Sequence, residues 1–386
     1  MERSVNQRVL RRVLTSLLAA LLTLALVEVA LRVFWQPATS YYYYKSDPTL
    51  NHRLRPRIRT WRVLHDGRRI EIITNANGLR DVEYGPKETN ELRILVLGDS
   101  FIEATTNPFP LISSKRLERL LNERYQGKNL TVRVINGGQV SYSPILEYIF
   151  LKTELIDLAP DIVLLNLDMG DVQDDLFYST IADFDADNEP TRVAHDRPVP
   201  MIIQRKWEPP AWQKWLIDHL RLAHFIDQRF HIHAMGEAAN VVPGDLRYDR
   251  LATTRDGVSD LSEHYRRTGS YLTMIDRYLK ERGIPLLIFA YPLGHQVAPN
   301  EWPQGRVREQ FETGKVYTGT FFPFLQQYCA EQQLNCRLLL DAFRAYQGTE
   351  PLYLPYDGHW TPAGEAFMAQ QQFTALVESG LLPSTE

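Results

Sequence analysis

The sequence predicts an α/β fold: a doubly wound, mostly parallel sheet of about five strands, preceded by an N-terminal transmembrane helix and interrupted by an excursion inserted between strands three and four. Three observations predict it. Five short segments, Arg93 to Gly98, Thr131 to Asn136, Ile162 to Leu167, Pro285 to Tyr291 and Arg337 to Asp341, are rich in Ile, Leu and Val on both faces. That pattern fits strands covered by helices on either side. Helix start and stop signals fall between them, and an apolar run of transmembrane length occupies the N-terminus.

The N-terminal run comes first. Val13 to Val27 carries no charge, and the apolar character continues past Glu28 and Arg32 to Trp35. At 1.5 Å per residue this spans about 34 Å, enough for a bilayer core of about 30 Å. Arg3, Arg8, Arg11 and Arg12 precede it, so the N-terminal tip is expected in the cytoplasm and the bulk of the chain on the periplasmic or extracytoplasmic side of an inner membrane. Glu28 and Arg32, four residues apart, can partly neutralise each other near the outer interface. Trp35 and Tyr41 to Tyr44 read as an aromatic belt. A cleaved signal peptide is the competing reading, disfavoured because small residues are poorly placed after the apolar run.

Residues 1–36 therefore form the cytoplasmic tip and anchor. Residues 37–91 read as a linker and small β layer, punctuated by Pro48, Pro56, Gly67, Gly78 and Gly85 around a strand-like Arg69 to Thr74. Residues 92–382 form the main domain. Within it, Ser143-Pro144 and Thr361-Pro362 are helix starts, with Ser or Thr at the cap and Pro at the first helical position. Tyr271 to Arg282 reads as a helix closed by Gly283. The excursion, about 177–260, reads as a hairpin followed by helical segments over the active-site edge, since long insertions in compact domains commonly act as lids or binding loops.

Composition excludes some functions. A net charge of −4 with 11% aromatic residues describes an ordinary globular chain, and no basic stripe interleaved with aromatics marks a nucleic-acid partner. Asp183-Phe-Asp185-Ala-Asp187-Asn188 begins like a calcium loop, but Asn188 replaces the turn glycine and Ala194 the closing glutamate. It reads as an acidic hairpin turn. His219, His224, His231 and His233 lack a zinc spacing and read as solvated. Neither a metal nor a cofactor is expected. Cys329 and Cys336, the two cysteines of the chain, flank a helix end. An oxidising compartment permits them to pair; two buried thiols that never meet is the other reading.

Chemistry concentrates at two places. Arg93-Ile-Leu-Val-Leu-Gly98-Asp99-Ser100 ends a strand on a serine, and Asp357-Gly358-His359 supplies a carboxylate and an imidazole. A serine hydroxyl attacks a carbonyl only when a base takes its proton, and the base works best when a carboxylate fixes its tautomer. Ser100 is the candidate nucleophile, His359 the base and Asp357 the orienting acid. Asp99 reads as structural. Ser100, Gly138 and Asp168 to Asp171 all follow the carboxyl ends of predicted strands, where doubly wound sheets place ligands. The chain contains no Gly-x-Ser-x-Gly elbow, which excludes the usual α/β-hydrolase arrangement.

Gly98-Asp99-Ser100 resembles the first block of the SGNH (GDSL) hydrolases, and Asp357-x-His359 with Trp360-Thr361-Pro362-Ala363-Gly364 resembles their last. Gly138 falls where the second block places an oxyanion-hole glycine. The third block departs: the family's Gly-x-Asn-Asp stands here as Asp168-Met169-Gly170-Asp171, with Gly170 in the place of the donor Asn. The Asp-x-His spacing is similar to the alginate-type O-acetyltransferase branch. The resemblance implies an SGNH, flavodoxin-like fold and a serine esterase or O-acyltransferase acting on acetyl esters of an envelope carbohydrate. The N–H groups of Ser100 and Gly138 would form the oxyanion hole. For transfer, a membrane acyl-donor protein would be a further partner. A catalytically silent glycan-binding scaffold is the competing reading, supported by the altered third block.

Overall fold

The computed structural model describes residues 2–34, 43–64, 66–194, 211–230, 261–309 and 311–384. Two compact units emerge. One comprises residues 1–42 and 200–240, the other 43–199 and 241–386.

In the first unit, α1 (Glu2–Phe34) carries a segment, Arg11–Phe34, of mean hydropathy 2.3, long and apolar enough to cross a membrane. The second unit opens with two antiparallel hairpins, β1 (Tyr44–Asp47) with β2 (Asn51–Leu54) and β3 (Arg59–Val63) with β4 (Arg69–Ile73). Tyr43 is 1% exposed, and the Tyr44 hydroxyl donates to Glu103. Tyr43 is therefore a core residue of the second unit and Tyr44 a half-buried one tied to it, and neither is part of an aromatic belt; Trp35, Tyr41 and Tyr42 lie outside the described residues. The expected linker likewise packs into the second unit from Tyr43 onward.

The central sheet follows in chain order. After β5 (Glu91–Leu97) come the single turn α2 (Ser100–Glu103), α3 (Ser113–Arg124), β6 (Thr131–Asn136), α4 (Pro144–Thr153), β7 (Ile162–Leu167) and α5 (Gly170–Ser179). The excursion supplies the hairpin β8 (Ala182–Phe184) and β9 (Pro190–Val193). It also supplies α6 (Ala211–His219) and α7 (Arg221–Phe230), which belong to the first unit. The second unit resumes with α8 (Ser262–Lys280), β10 (Leu286–Ala290), α9 (Gly294–Val297), α10 (Pro303–Arg308), α11 (Phe321–Gln332), β11 (Cys336–Leu338), α12 (Leu340–Arg344) and α13 (Pro362–Ser379).

Five strands pair in parallel in the order β11-β10-β7-β5-β6. Counted along the chain, this is the 2-1-3-4-5 order of flavodoxin-like sheets, whose switch point lies between β5 and β7. Alternation sorts the strands onto two faces. Leu95, Leu97, Val163 and Leu165 join the core under α4, α8 and α11, while Ile94, Val96, Ile162 and Leu164 join that under α3 and α13. Both faces are buried, which is why these strands read as continuous apolar runs.

Element boundaries differ from expectation where local signals are weak. The last strand ends at Leu338, and Asp341 lies in α12. The helix closed by Gly283 begins at Ser262, nine residues before Tyr271, because its start has no side-chain cap to announce it. Asp183 to Asn188 spans β8 and the hairpin turn, with Asp185 accepting the N–H groups of Asp187 and Glu189. Cys329 of α11 and Cys336 of β11 form a disulfide with a Cα separation of 6.2 Å.

Candidate active site

β5 ends at Leu97, and the chain turns at once through Gly98-Asp99-Ser100 into α2. Gly98 is required by close approach, since a Cβ there would lie 2.3 Å from Ile102 Cγ1. Asp99 caps α2 by accepting the Phe101 N–H at 2.8 Å, and the same oxygen accepts the Tyr291 hydroxyl at 3.1 Å. That leaves Ser100 as the first helical residue, its N–H among those a helix cannot satisfy internally, and it lines a cleft.

The opposing wall comes from the loop before α13. Gly358 has φ +90°, and a Cβ there would meet Trp302 Nε1 at 2.7 Å. This left-handed glycine lets Asp357 and His359, two residues apart, turn their side chains together. His359 Nδ1–H donates to Asp357 Oδ1, and His359 Nε2 accepts the Ser100 hydroxyl at 2.8 Å. The carboxylate sets the tautomer and leaves Nε2 as the base. Phe101 packs on His359 with ring centroids 4.8 Å apart, and Trp360 packs on Phe101 at 5.0 Å.

The far side of the carboxylate is held by a residue that no motif announced. Arg62, from β3, donates from Nη2 to Asp357 Oδ2 at 3.1 Å and from Nη1 to Thr105 Oγ1 at 2.6 Å. Burial by itself would push the His359 imidazole down. The charge and hydrogen bond of Asp357 outweigh burial and hold its pKa above the ordinary 6.5, with Arg62 acting in the opposite direction. Burial would raise Asp357, but His359 and then Arg62 hold it well below the usual carboxylate range.

Gly138 departs from the expected role. Its N–H donates to Asn136 Oδ1 at 3.0 Å, and a Cβ would lie 2.3 Å from Glu103 N. Packing against α2 explains this glycine, and its N–H is not open to an oxyanion in this arrangement. Gly170 lines the cleft at the start of α5, with its N–H engaged by Asp168 Oδ1. Asp171 sits behind, accepting the Asp168 N–H at 2.6 Å. Burial, then the neighbouring carboxylates of Asp168, Asp99 and Glu147, push the Asp171 pKa well above the usual carboxylate range.

The cleft holds about 170 Å³ and is completed by Leu293, Trp302, Arg308 and Glu309, none of which carried a sequence signal. That volume is below the roughly 300–1,000 Å³ of pockets for drug-sized ligands, and it suits a small acyl group. Among the described residues, none from the excursion lines it. Of the four histidines, His219 ends α6 with its ring stacked on Trp215 at 4.6 Å, and His231 and His233 lie outside the described residues.

No family model matches the chain, and no curated protein is similar to it in sequence. Solved structures are similar in fold. TesA shares 13% identity over 75% of this chain and 99% of its own, with a TM-score of 0.37. A lipolytic protein of the G-D-S-L family from Desulfitobacterium hafniense shares 11% over 74% of this chain and 99% of its own, with a TM-score of 0.36. Axe2, an acetylxylan esterase from Geobacillus stearothermophilus solved as a catalytic mutant, shares 12% over 76% and 97%, with a TM-score of 0.38.

Proposed function

We propose that the chain is a serine-dependent esterase or O-acyltransferase acting on acetyl esters of an envelope carbohydrate. The observation that carries this reading is the hydrogen-bonded relay Ser100–His359–Asp357 at the mouth of a small cleft. Ser100 Oγ attacks the ester carbonyl while His359 Nε2 takes its proton. The bond between the acyl carbon and the sugar oxygen then breaks, and His359 returns the proton to the departing hydroxyl. Water or a second sugar hydroxyl attacks the acyl-enzyme by the same route in reverse, so hydrolysis and transfer share every residue. The Ser100 N–H is the oxyanion donor of the expected pair left open. For transfer, the acyl group would reach Ser100 from a membrane acyl-donor protein. The arginine-flanked N-terminal helix supports an inner-membrane anchor with the catalytic unit on the periplasmic side.

Purified full chain should turn over an activated acetyl ester. Ser100→Ala and His359→Ala should each cut kcat by about 10⁴-fold or more, and Asp357→Asn by less. Envelope glycans from cells carrying Ser100→Ala should differ in acetyl content from wild type. Full turnover by Ser100→Ala would contradict the assignment, and unchanged glycans alongside an inactive wild type would favour the scaffold reading.

A further inference from the structure

The first unit contains a polar knot inside an apolar run. Glu28 accepts the N–H groups of Arg221 and Leu222, both at 2.9 Å, and the Nε–H of Arg32 at 2.7 Å. Arg32 Nη2 in turn donates to the His219 carbonyl at 2.7 Å. These two side chains therefore do more than neutralise each other. They satisfy the end of α6 and the start of α7, and so fasten the corner between those helices to α1. A carboxylate and a guanidinium inside an apolar span are costly unless partnered, and here both are partnered.

The knot fixes depth. Arg11–Phe34 is 24 residues, about 36 Å long against a bilayer core of about 30 Å. Glu28 lies six residues before the end of α1, about 9 Å along the axis, which for a centred span puts it about 6 Å inside the boundary between core and headgroup layer. The helices held there are amphipathic in sequence. Trp212, Trp215 and Leu216 fall at i, i+3 and i+4 of α6, and Leu222, Phe225 and Ile226 do the same on α7. Trp212 is 62% exposed, Trp215 56% and Ile226 40%. Indole rings favour the membrane–water boundary, and amphipathic helices lie along it.

We infer that α6 and α7 form an interfacial membrane hairpin, lying in the headgroup layer beside the outer end of α1. The occupant of the exposed face is lipid, because these helices are hydrogen-bonded to a span whose own apolar side chains are unburied, Leu26 at 70% and Val29 at 58% exposed. The inference rests on reading α1 as an uncleaved anchor.

The chain's two cysteines are paired, so one introduced cysteine gives one spin-label site. Full-length protein carrying Trp212→Cys, Ile226→Cys, Ala20→Cys or Lys128→Cys is reconstituted in vesicles of phosphatidylethanolamine and phosphatidylglycerol. Relaxation by oxygen is compared with relaxation by a water-soluble nickel chelate. Labels at 212 and 226 should give oxygen-to-nickel ratios between those at mid-span Ala20 and solvent-facing Lys128. Ratios equal to that of Lys128 would place the hairpin in water, and exclusion of both relaxers would mean that protein covers it; either result overturns the inference while a lipid-facing Ala20 label leaves the anchor intact. A water-exposed or missing Ala20 label would remove the anchor reading itself, and the inference with it.

Discussion

Arg62 lies 295 residues before Asp357 in the chain, in a strand that sequence patterning could place only loosely in a small β layer. Its guanidinium holds the oxygen of Asp357 that His359 does not use, and its charge opposes the rise in the His359 pKa. His359 must be neutral to accept the Ser100 proton, so activity rises with pH through its pKa. Arg62→Gln should move the acid limb of the kcat/KM profile to higher pH, with a loss of up to about tenfold at pH 6 and a smaller one at pH 8. An equal loss at every pH would assign Arg62 to structure alone. Gly170 lies at the cleft and does not have a positive φ, so its backbone conformation does not itself demand glycine. Gly170→Asn should raise turnover of a small ester by adding a donor near the oxyanion; an unchanged thermal midpoint with unchanged or lower turnover would show that the donor slot lies elsewhere. The serine, histidine and aspartate were legible because their chemistry is local to two short motifs. Arg62, Trp302 and Arg308 were not, because an isolated arginine or tryptophan acquires a role only when the fold brings it to the cleft.

The elements most legible in the sequence are those whose signals are both local and doubled. β6 and β7 have the expected limits, β7 being buried at every position and β6 at all but its first residue and Arg133, and α13 begins where Thr361-Pro362 announces it, with Thr361 Oγ1 accepting the Gly364 N–H at 3.1 Å. Ser143 shows the limit of such signals: α4 starts after it, yet its hydroxyl makes no capping bond. Thr361→Ala should therefore destabilise the chain by about 0.5–2 kcal/mol in a denaturant titration, and Ser143→Ala should do less through capping. Equal losses would mean that the cap at α13 contributes nothing special. Gly138 illustrates the same limit. A glycine after a strand is demanded equally by an oxyanion donor and by a close approach to a neighbouring helix, and here its N–H bond to Asn136 and the approach to Glu103 favour the second.

At the scale of the molecule, buried acids set the pH response. Burial pushes Asp175 and Glu365 up to about 7 each. Both bind protons more tightly folded than unfolded, so stability falls as pH rises from about 4 to about 7 and then levels. His359, also raised, acts in the same direction as pH rises past 6.5. Asp357 acts oppositely, its contribution being lost as pH falls below the ordinary carboxylate range. The thermal midpoint should therefore decline between pH 5 and pH 8, and Asp175→Asn with Glu365→Gln should flatten that decline; an unchanged slope in the double variant would assign it to other groups. The five strands, both covering layers and the N-terminal helix were legible because hydrophobic patterning encodes them directly, whereas the strand order was implied only by the flavodoxin-like resemblance. The division of the excursion between two units was not, since it depends on contacts made far along the chain. The central claim, that Ser100 is an activated nucleophile, is tested most directly by a fluorophosphonate probe with peptide mass mapping on the full chain. Labelling should map to Ser100 and vanish in His359→Ala while the thermal midpoint stays near wild type. A label on another serine, or none on the folded wild-type chain, would contradict the account.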